Sequence, residues 1–300
     1  MRRKTARRDR QYIGYAYISL WIIGFLVFQL YPLVVSFGYS FTDYDMLSAP
    51  KFVGLENYRY MFTEDPQFYN SLLRTFEYVV LGVPVKLCFA FFIAMLLNMK
   101  LRCINLFRTV YYLPSIVGGS VAISILWRLL FAKEGAVNQI LAIFGISPHN
   151  WLGDPKLALP TISLIIVWQF GSSMVLFLAG LKQIPSELYE AARVDGCGSI
   201  RSFFKITIPL MTPTIFFNLI MQTINAFQDF TSAMVITRGG PLKSTYLYAL
   251  KLYEDSFRYF KMGYASALSW VLFFIILLFT ALIFKSSPMW VNYQDGGNKL

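Results

Sequence analysis

Charged side chains are scarce in this sequence of 300 residues. They make up 14% of it, whereas hydrophobic residues make up 56% and the mean hydropathy is +0.52. A soluble domain has about a quarter of its residues charged. Because a surface that faces water needs charged groups, this shortage excludes an ordinary soluble globule and predicts a membrane protein.

Cysteine and histidine are also rare. Cys88, Cys103 and Cys197 lie in one predicted span and two predicted inner loops, so we expect free thiols and no disulfide framework. The single His149 has no Cys or His neighbour that would indicate a metal site, so no metal ligand is predicted. The phosphate-binding pattern GxxxxGK[ST] is missing too, so no ATP site is expected in this chain.

Long apolar segments are what the sequence has in abundance. A membrane-crossing helix needs about 20 mostly apolar residues. Six segments qualify. A buried core helix of a soluble protein could explain one such segment, but not six. The predicted fold class is therefore all-α, a polytopic membrane protein. The predicted transmembrane domain, 13–285, has spans at about 13–40, 76–99, 108–130, 157–181, 206–228 and 262–285. The first apolar run is about twice as long as that of a secretory signal, so it is predicted to stay in place as a helix.

Positive charge is concentrated on one side of this predicted topology. Cytoplasmic loops carry the excess of Lys and Arg. If both termini are cytoplasmic, the inner segments hold 15 Lys and Arg against five Asp and Glu, whereas the outer segments hold 11 of each. The sequence thus predicts a multi-pass membrane protein with a basic cytoplasmic tail, 1–12, and a second cytoplasmic tail, 286–300. The basic pI of 9.5 indicates topology and not nucleic-acid binding.

The inner loop 182–205 has the most distinctive pattern in the chain. Ser186 is a candidate N-cap, and a short helix is predicted over 186–194, ended by the pair Asp195-Gly196. A second helix is predicted to start near Ser199. The loop is therefore either a plain connection or a helical elbow that docks on a partner.

The same loop carries a family resemblance. The segment EAARVDGCGSIRSFFKITIPLMTP resembles the EAA loop of ABC importer permeases, with Cys197 where Ala is usual and Ile208 where Leu is usual. A second match, TRGGP followed by Thr245, is similar to the sugar subgroup. Nearly the whole chain resembles the maltose-type (carbohydrate uptake transporter-1) permeases, specifically the larger maltose permease subunit without its extra N-terminal spans. The segment from Phe107 to Phe131 further resembles Firmicute oligosaccharide permeases.

The resemblance implies a fold, a function and partners. It implies the type I importer permease fold and an alternating-access permease for a sugar or oligosaccharide. The partners would be a second homologous permease, two ATPase subunits that bind ATP and Mg, and an extracytoplasmic solute-binding protein. The chain itself would lie in the bacterial plasma (inner) membrane, in contact with lipid, and would bind the sugar substrate. The ATPases would be coupled through Glu190, Ala191, Ala192, Asp195 and Gly196. This chain itself would hold no cofactor and would not be an enzyme.

Polar residues inside the fifth span are candidate substrate ligands, because such groups are costly in lipid. Asn218, Gln222, Asn225 and Asp229 are spaced by four, three and four residues, which places them on one helical face. The alternative is hydrogen bonding between helices. The resemblance places three of them, Gln222, Asn225 and Asp229, at sugar-contact positions of the maltose permease, although the residue types mostly differ.

Four further positions are candidates. In the fourth span, Trp168, Gln169 and Ser172 fall within about one turn and match sugar-contact positions of the family, although Trp168 is equally well explained as an ordinary packed aromatic. In the third span, Ser120 is a candidate beside two glycines whose alternative role is close helix packing.

The charged Lys86 lies in the middle of the second span. We expect it to face the bundle interior and to pair with a carboxylate or backbone carbonyls, with an acidic sugar as an alternative partner.

Other functions remain open at this level. An integral membrane enzyme is one, but the sequence has no HExxH or GxSxG motif. A passive channel is another, but a channel does not need a docking elbow. Within the same family, the cargo could instead be glycerol phosphate or another polyol.

Overall fold

Helices account for most of the chain. The computed structural model describes Tyr15 and residues 17–99 and 103–292. The tail 1–12 and most of the tail 286–300 therefore lie outside the described residues. The helices are α1 (Tyr17–Tyr39), α2 (Glu56–Thr63), α3 (Pro66–Asn98), α4 (Ile104–Val117), α5 (Val121–Leu130), α6 (Ala136–Ile143), α7 (Pro155–Trp168), α8 (Gly171–Gln183), α9 (Ser186–Val194), α10 (Ser199–Phe227), α11 (Tyr248–Tyr253) and α12 (Met262–Ser286).

Four of these helices are long and apolar enough to cross a membrane, namely α1, α3, α10 and α12. Two more spans are possible if each of two bent pairs counts as one: α4 with α5, bent by 103°, and α7 with α8, bent by 46°. The described residues of the six predicted apolar segments are mostly helical, and a break interrupts the helix in the third and the fourth segment. In the third span the break falls at Gly118 and Gly119, and Gly119 has a φ of +77°, which only glycine adopts readily.

Two helices start earlier than the apolar runs indicated. Helix α3 starts at Pro66 and not near 76, and Arg74 and Glu77, which form an ion pair of 2.7 Å one turn apart, both lie on it. Helix α10 starts at Ser199 and not at 206, through a π-helical turn, Phe203–Thr207, that joins the second part of the elbow directly to the span. Apolar content marks what enters the membrane, whereas backbone hydrogen bonds extend the helix beyond it.

Packing divides the chain into two compact units. The first comprises residues up to Asp65 together with Leu252–Phe273. It holds a two-residue antiparallel ladder, in which Thr42 pairs with Phe52, and this ladder is a small exception to the all-α prediction. The Asn57 amide fastens the segment by donating to the carbonyls of Ser40 and Thr42 at 2.9 Å each.

The second unit comprises Pro66–Lys251 and the residues from Phe274 onward. Helix α3 is its centre and packs against α7, α8 and α10. The buried face of α3 repeats every three to four residues and is rich in small side chains, such as Ser71, Gly82 and Ala90. A Cβ at Gly82 would lie 2.8 Å from the side chain of Ile166. Small residues on this face therefore let the helices approach closely, as is usual between membrane helices.

Candidate functional site

A polar cavity of about 260 Å³ lies in the second unit, where α3, α4, the α7–α8 break and the end of α10 meet. Most of its lining is polar, which is unusual for the interior of so apolar a chain. The lining residues are Lys86, Ser115, Gly119, Ile165, Ile166, Gln169, Ser172, Gln222, Asn225, Ala226, Asp229 and Ser232.

The structure brings five of the eight predicted substrate ligands to this cavity. Three come from the end of α10 and two from the α7–α8 break: Gln222, Asn225, Asp229, Gln169 and Ser172. Helix α10 ends at Phe227, so Asp229 lies just beyond the helix instead of on its face. The cavity therefore combines amides, hydroxyls and one carboxylate.

Lys86 faces the interior, as predicted, with only 6% of its surface exposed. Its Nζ donates to Oε1 of Gln222 at 2.7 Å. The prediction that its partner is a carboxylate or a backbone carbonyl is wrong, because the acceptor is an amide side chain of α10. An amide oxygen accepts the bond without neutralising the charge.

Asp229 is held from two sides. The hydroxyl of Tyr78, a fully buried side chain of α3, donates to Oδ2, and the backbone N–H of Ser232 donates to Oδ1 at 3.3 Å. Sequence reasoning missed both partners. Tyr78 lies in an apolar run and has no local signal, because it meets Asp229 from a distant part of the chain.

The kink between α7 and α8 exposes backbone groups that Ser115 satisfies. Its Oγ donates to the carbonyl of Gln169 at 3.1 Å and accepts from the N–H of Ser172 at 3.0 Å. A broken helix in a membrane needs such partners for the backbone groups it frees. Ser115 was not predicted, since one serine in an apolar span gives no indication of which helix it contacts.

Three predicted ligands lie away from the cavity. Asn218 is fully buried and donates to the Thr214 carbonyl of its own helix at 3.0 Å. Trp168 packs beside Trp127, with ring centroids 6.1 Å apart. Ser120 caps α5 by accepting from the N–H of Ile123 at 3.3 Å.

The placement of Asp229 and Asn218 leads to a prediction. We expect Asp229→Ala to raise the substrate concentration for half-maximal transport by about tenfold, since a hydrogen bond to a charged group contributes ~1.5 kcal/mol or more. Asn218→Ala, as a control in the helix that leads to Asp229, should leave that concentration within about twofold, because it removes no group that lines the cavity. Uptake at varied substrate concentration measures both, and a larger effect from Asn218 would contradict the assignment.

A second candidate site is the elbow between α8 and α10. Helix α9 has the predicted bounds, Ser186–Val194, and Gly196 has a φ of +73°. The N–H of Cys197 donates to the Ala192 carbonyl at 2.8 Å, which closes the helix end. The predicted N-cap is wrong: the cap position is Pro185, and Ser186 is the first helical residue.

The elbow is attached to α10 but leaves its surface uncovered. The hydroxyls of Tyr189 and Thr207 lie 2.8 Å apart. No residue of α9 is buried, and the apolar Val194 is 89% exposed. Ile200, across the Gly turn, is 77% exposed. Glu190, Ala191, Asp195 and Gly196 are exposed and Ala192 is half-buried, so all five predicted coupling residues are accessible.

The TRGGP segment packs beside the core of the second unit. The hydroxyls of Thr237 and Thr245 lie 2.6 Å apart, and Thr245 donates to the Gly240 carbonyl at 2.7 Å. Thr245 is fully buried, and Tyr246 next to it belongs to the core cluster. This segment starts a few residues after Asp229 and Ser232. Its hydrogen bonds therefore hold the backbone in place just after the residues that line the cavity.

Comparisons with known proteins agree with this architecture. Residues 65–288 match the family described as binding-protein-dependent transport system inner membrane component. The probable ABC transporter permease protein YesP of Bacillus subtilis is 50% identical, over 98% of this chain and 96% of that protein. The lactose transport system permease protein LacF of Rhizobium radiobacter is 35% identical, over 95% of this chain and 97% of that protein.

Solved structures show the same fold. A bacterial ABC transporter involved in the import of the acidic polysaccharide alginate contains a chain that matches with a TM-score of 0.81 at 21% identity, covering 96% of this chain and 99% of that one. The type I importer permease fold predicted from the sequence is confirmed. By the match over most of its length, the chain belongs to the binding-protein-dependent transport system inner membrane component family and is a permease subunit of an ABC importer, not an enzyme.

Proposed function

We propose that this chain moves a sugar or oligosaccharide across the bacterial inner membrane by alternating access. The observation that carries the proposal is the polar cavity, in which amides, hydroxyls and the Asp229 carboxylate converge inside an apolar bundle. Small-molecule sites use a few placed polar groups in this way, and sugar hydroxyls need such donors and acceptors. Relatives named for lactose and for arabinooligosaccharide transport support this class of cargo.

A polyol phosphate is a second candidate cargo. The buried cation Lys86 lines the cavity and would suit an anionic group. A relative that is 30% identical is named an sn-glycerol-3-phosphate transport permease, UgpA of Pectobacterium atrosepticum.

The elbow would couple this cavity to ATP hydrolysis in two partner ATPase subunits, which bind the ATP and Mg. Val194 and Ile200 present apolar surface beside charged neighbours, which is the composition of an interface more than of a plain loop. Since α9 is attached to α10 through Tyr189 and Thr207, a pull on the elbow is transmitted to the helix that carries Gln222 and Asn225. Rigid-body rocking between two states would then open the cavity to either side.

Two further partners complete the proposal. A second homologous permease would supply the opposite wall of the pathway, and an extracytoplasmic solute-binding protein would deliver the sugar. A structure of the alginate transporter includes a pentasaccharide-bound periplasmic protein, which supports the latter by analogy. Both termini and the elbow would be cytoplasmic, since that orientation puts the excess of Lys and Arg inside.

Co-purification and ATPase assays test the proposal together. The tagged chain, extracted in mild detergent, should bring a second permease and an ATP-binding subunit that mass spectrometry identifies. ATP hydrolysis by this complex should rise when the cognate binding protein is loaded with one member of an oligosaccharide panel. A chain that purifies alone, or a complex that no sugar or polyol stimulates, would refute the assignment.

A further inference from the structure

Lys86 has fewer partners than a buried ammonium needs. Its side chain is almost fully enclosed, and Gln222 Oε1 is the one acceptor it meets in the described part of the chain. An ammonium carries three donors. Two of them therefore remain available toward the cavity that Lys86 lines.

The charges around the cavity leave Lys86 without a counterion. Among the described residues that line it, Asp229 is the other charged group, and no ion pair joins it to Lys86. Asp229 is instead bound by Tyr78 and Ser232. The lining groups from α4 and from the α7–α8 break are neutral: Ser115, Gly119, Ile165, Ile166, Gln169 and Ser172.

The two charges lie toward different ends of the site. Tyr78, which holds Asp229, and Lys86 are eight residues apart along the continuous helix α3, which corresponds to about 12 Å at 1.5 Å per residue. A sugar with one anionic group could thus place that group at Lys86 and its hydroxyls at Asn225 and Asp229. An anion at Lys86 would not have to lie against the Asp229 carboxylate.

An isolated charge inside a membrane protein is costly, and one neutral amide offsets only part of that cost. Snorkelling to the membrane surface does not explain this lysine, because its ammonium is bound inward to Gln222. A ligand with a single negative charge would supply the counterion that Lys86 lacks. A phosphate ester carries a charge of about −1.5 to −2 at pH 7, which is roughly twice the charge that one lysine can neutralise.

We propose that Lys86 selects a carboxylated sugar, such as an oligosaccharide with a uronic acid, and binds its carboxylate. This inference rests on the proposed function and names the substrate class of the same cavity. Gln222 orients the ammonium, while Asn225, Asp229 and Gln169 bind hydroxyls. Lys86 is then a specificity-determining residue and not a structural charge.

A matched pair of ligands tests the inference: a uronic-acid oligosaccharide and its methyl ester, which has the same rings and linkages without the charge. Binding of each to the detergent-solubilised complex, without the binding protein, is measured by calorimetry. Wild-type protein should prefer the free acid by about tenfold or more, since desolvated charge pairs contribute well over 1.4 kcal/mol. A glycerol phosphate arm should bind more weakly than the free acid.

Variants separate a specificity role from a structural one. Lys86→Met should abolish the preference for the free acid, and Lys86→Arg should restore part of it, because both keep the length of the side chain but only arginine keeps the charge. Assembly of each variant is checked by gel filtration. If Lys86→Met fails to assemble, the wild-type comparison of acid and ester still decides.

The outcomes distinguish this inference from the proposed function. Three results would overturn the role of Lys86: equal binding of acid and ester, stronger binding of glycerol phosphate, or a preference that survives in Lys86→Met. In each case, sugar-stimulated ATP hydrolysis would still support the importer assignment. If no sugar of either kind binds or stimulates, the proposed function itself fails.

Discussion

Replacing Gly196 by valine is expected to weaken the attachment of the ATPase subunit and, with it, transport. Gly196 has a φ of +73° at the turn that ends α9, a conformation that a β-branched residue rarely adopts. The left-handed region costs an ordinary residue about 1–2 kcal/mol, which shifts the balance between elbow conformations by roughly tenfold. Sugar uptake in proteoliposomes should therefore fall by about tenfold or more, together with the amount of ATPase subunit that co-purifies.

Gly198 provides the matched control for this variant. It lies two residues further along the same turn, and a Cβ at either position would meet nothing within 4 Å. Its φ is −69°, which any residue adopts, so Gly198→Ala should leave uptake and co-purification unchanged. Equal losses from both variants would show that the elbow tolerates no change at all, and unimpaired uptake in Gly196→Val would show that the shape of the turn does not matter.

Replacing Gly171 by alanine is expected to destabilise the whole transmembrane unit. A Cβ at Gly171 would lie 2.6 Å from the Tyr111 carbonyl oxygen and 2.8 Å from the Tyr112 Cα, both backbone atoms of α4. The helices would have to separate, and the two bonds that Ser115 makes across the α7–α8 break would weaken. Overpacking of this kind costs about 1–3 kcal/mol. Thermal unfolding of the solubilised complex should show a lower midpoint.

A glycine without neighbours controls for the intrinsic effect of alanine. Gly38 lies in α1, and a Cβ there would meet nothing within 4 Å. Gly38→Ala should leave the unfolding midpoint unchanged or raise it slightly, because alanine favours a helix by about 1 kcal/mol over glycine. If Gly171→Ala unfolds no earlier than Gly38→Ala, the close contact between α4 and α8 is not needed for stability.

Local sequence patterns were sufficient to predict the main elements of this fold, but not α2, α6 or the short ladder. Apolar segments indicated the helices long enough to cross a membrane, and the sequence Ser186–Val194 followed by Asp195-Gly196 predicted α9 and its end. Both patterns can be recognised in a continuous stretch of sequence, without knowledge of which helices pack together. The bends did not follow from apolar content, because Gly118 and Gly119 lie in a segment that is apolar on both sides.

The candidate site was predicted only in part. The spacing of Gln222, Asn225 and Asp229 predicted one shared face, and the structure brings all three to one cavity; their role as substrate ligands stays a prediction. Asn218 has the same spacing but is not among the residues that line the cavity, and it bonds within its own helix. Tyr78 and Ser115 could not be found, since their roles depend on which helices pack together, and that is decided by contacts between distant parts of the chain.

Accumulation of labelled sugar in sealed proteoliposomes tests the central claim most directly. The vesicles contain the assembled complex, with binding protein and sugar on one side and ATP available to the ATPase subunits. We expect the internal sugar concentration to rise above the external one, and only while ATP is hydrolysed. Equilibration of the sugar to equal concentrations without ATP would contradict it and would identify a passive channel instead.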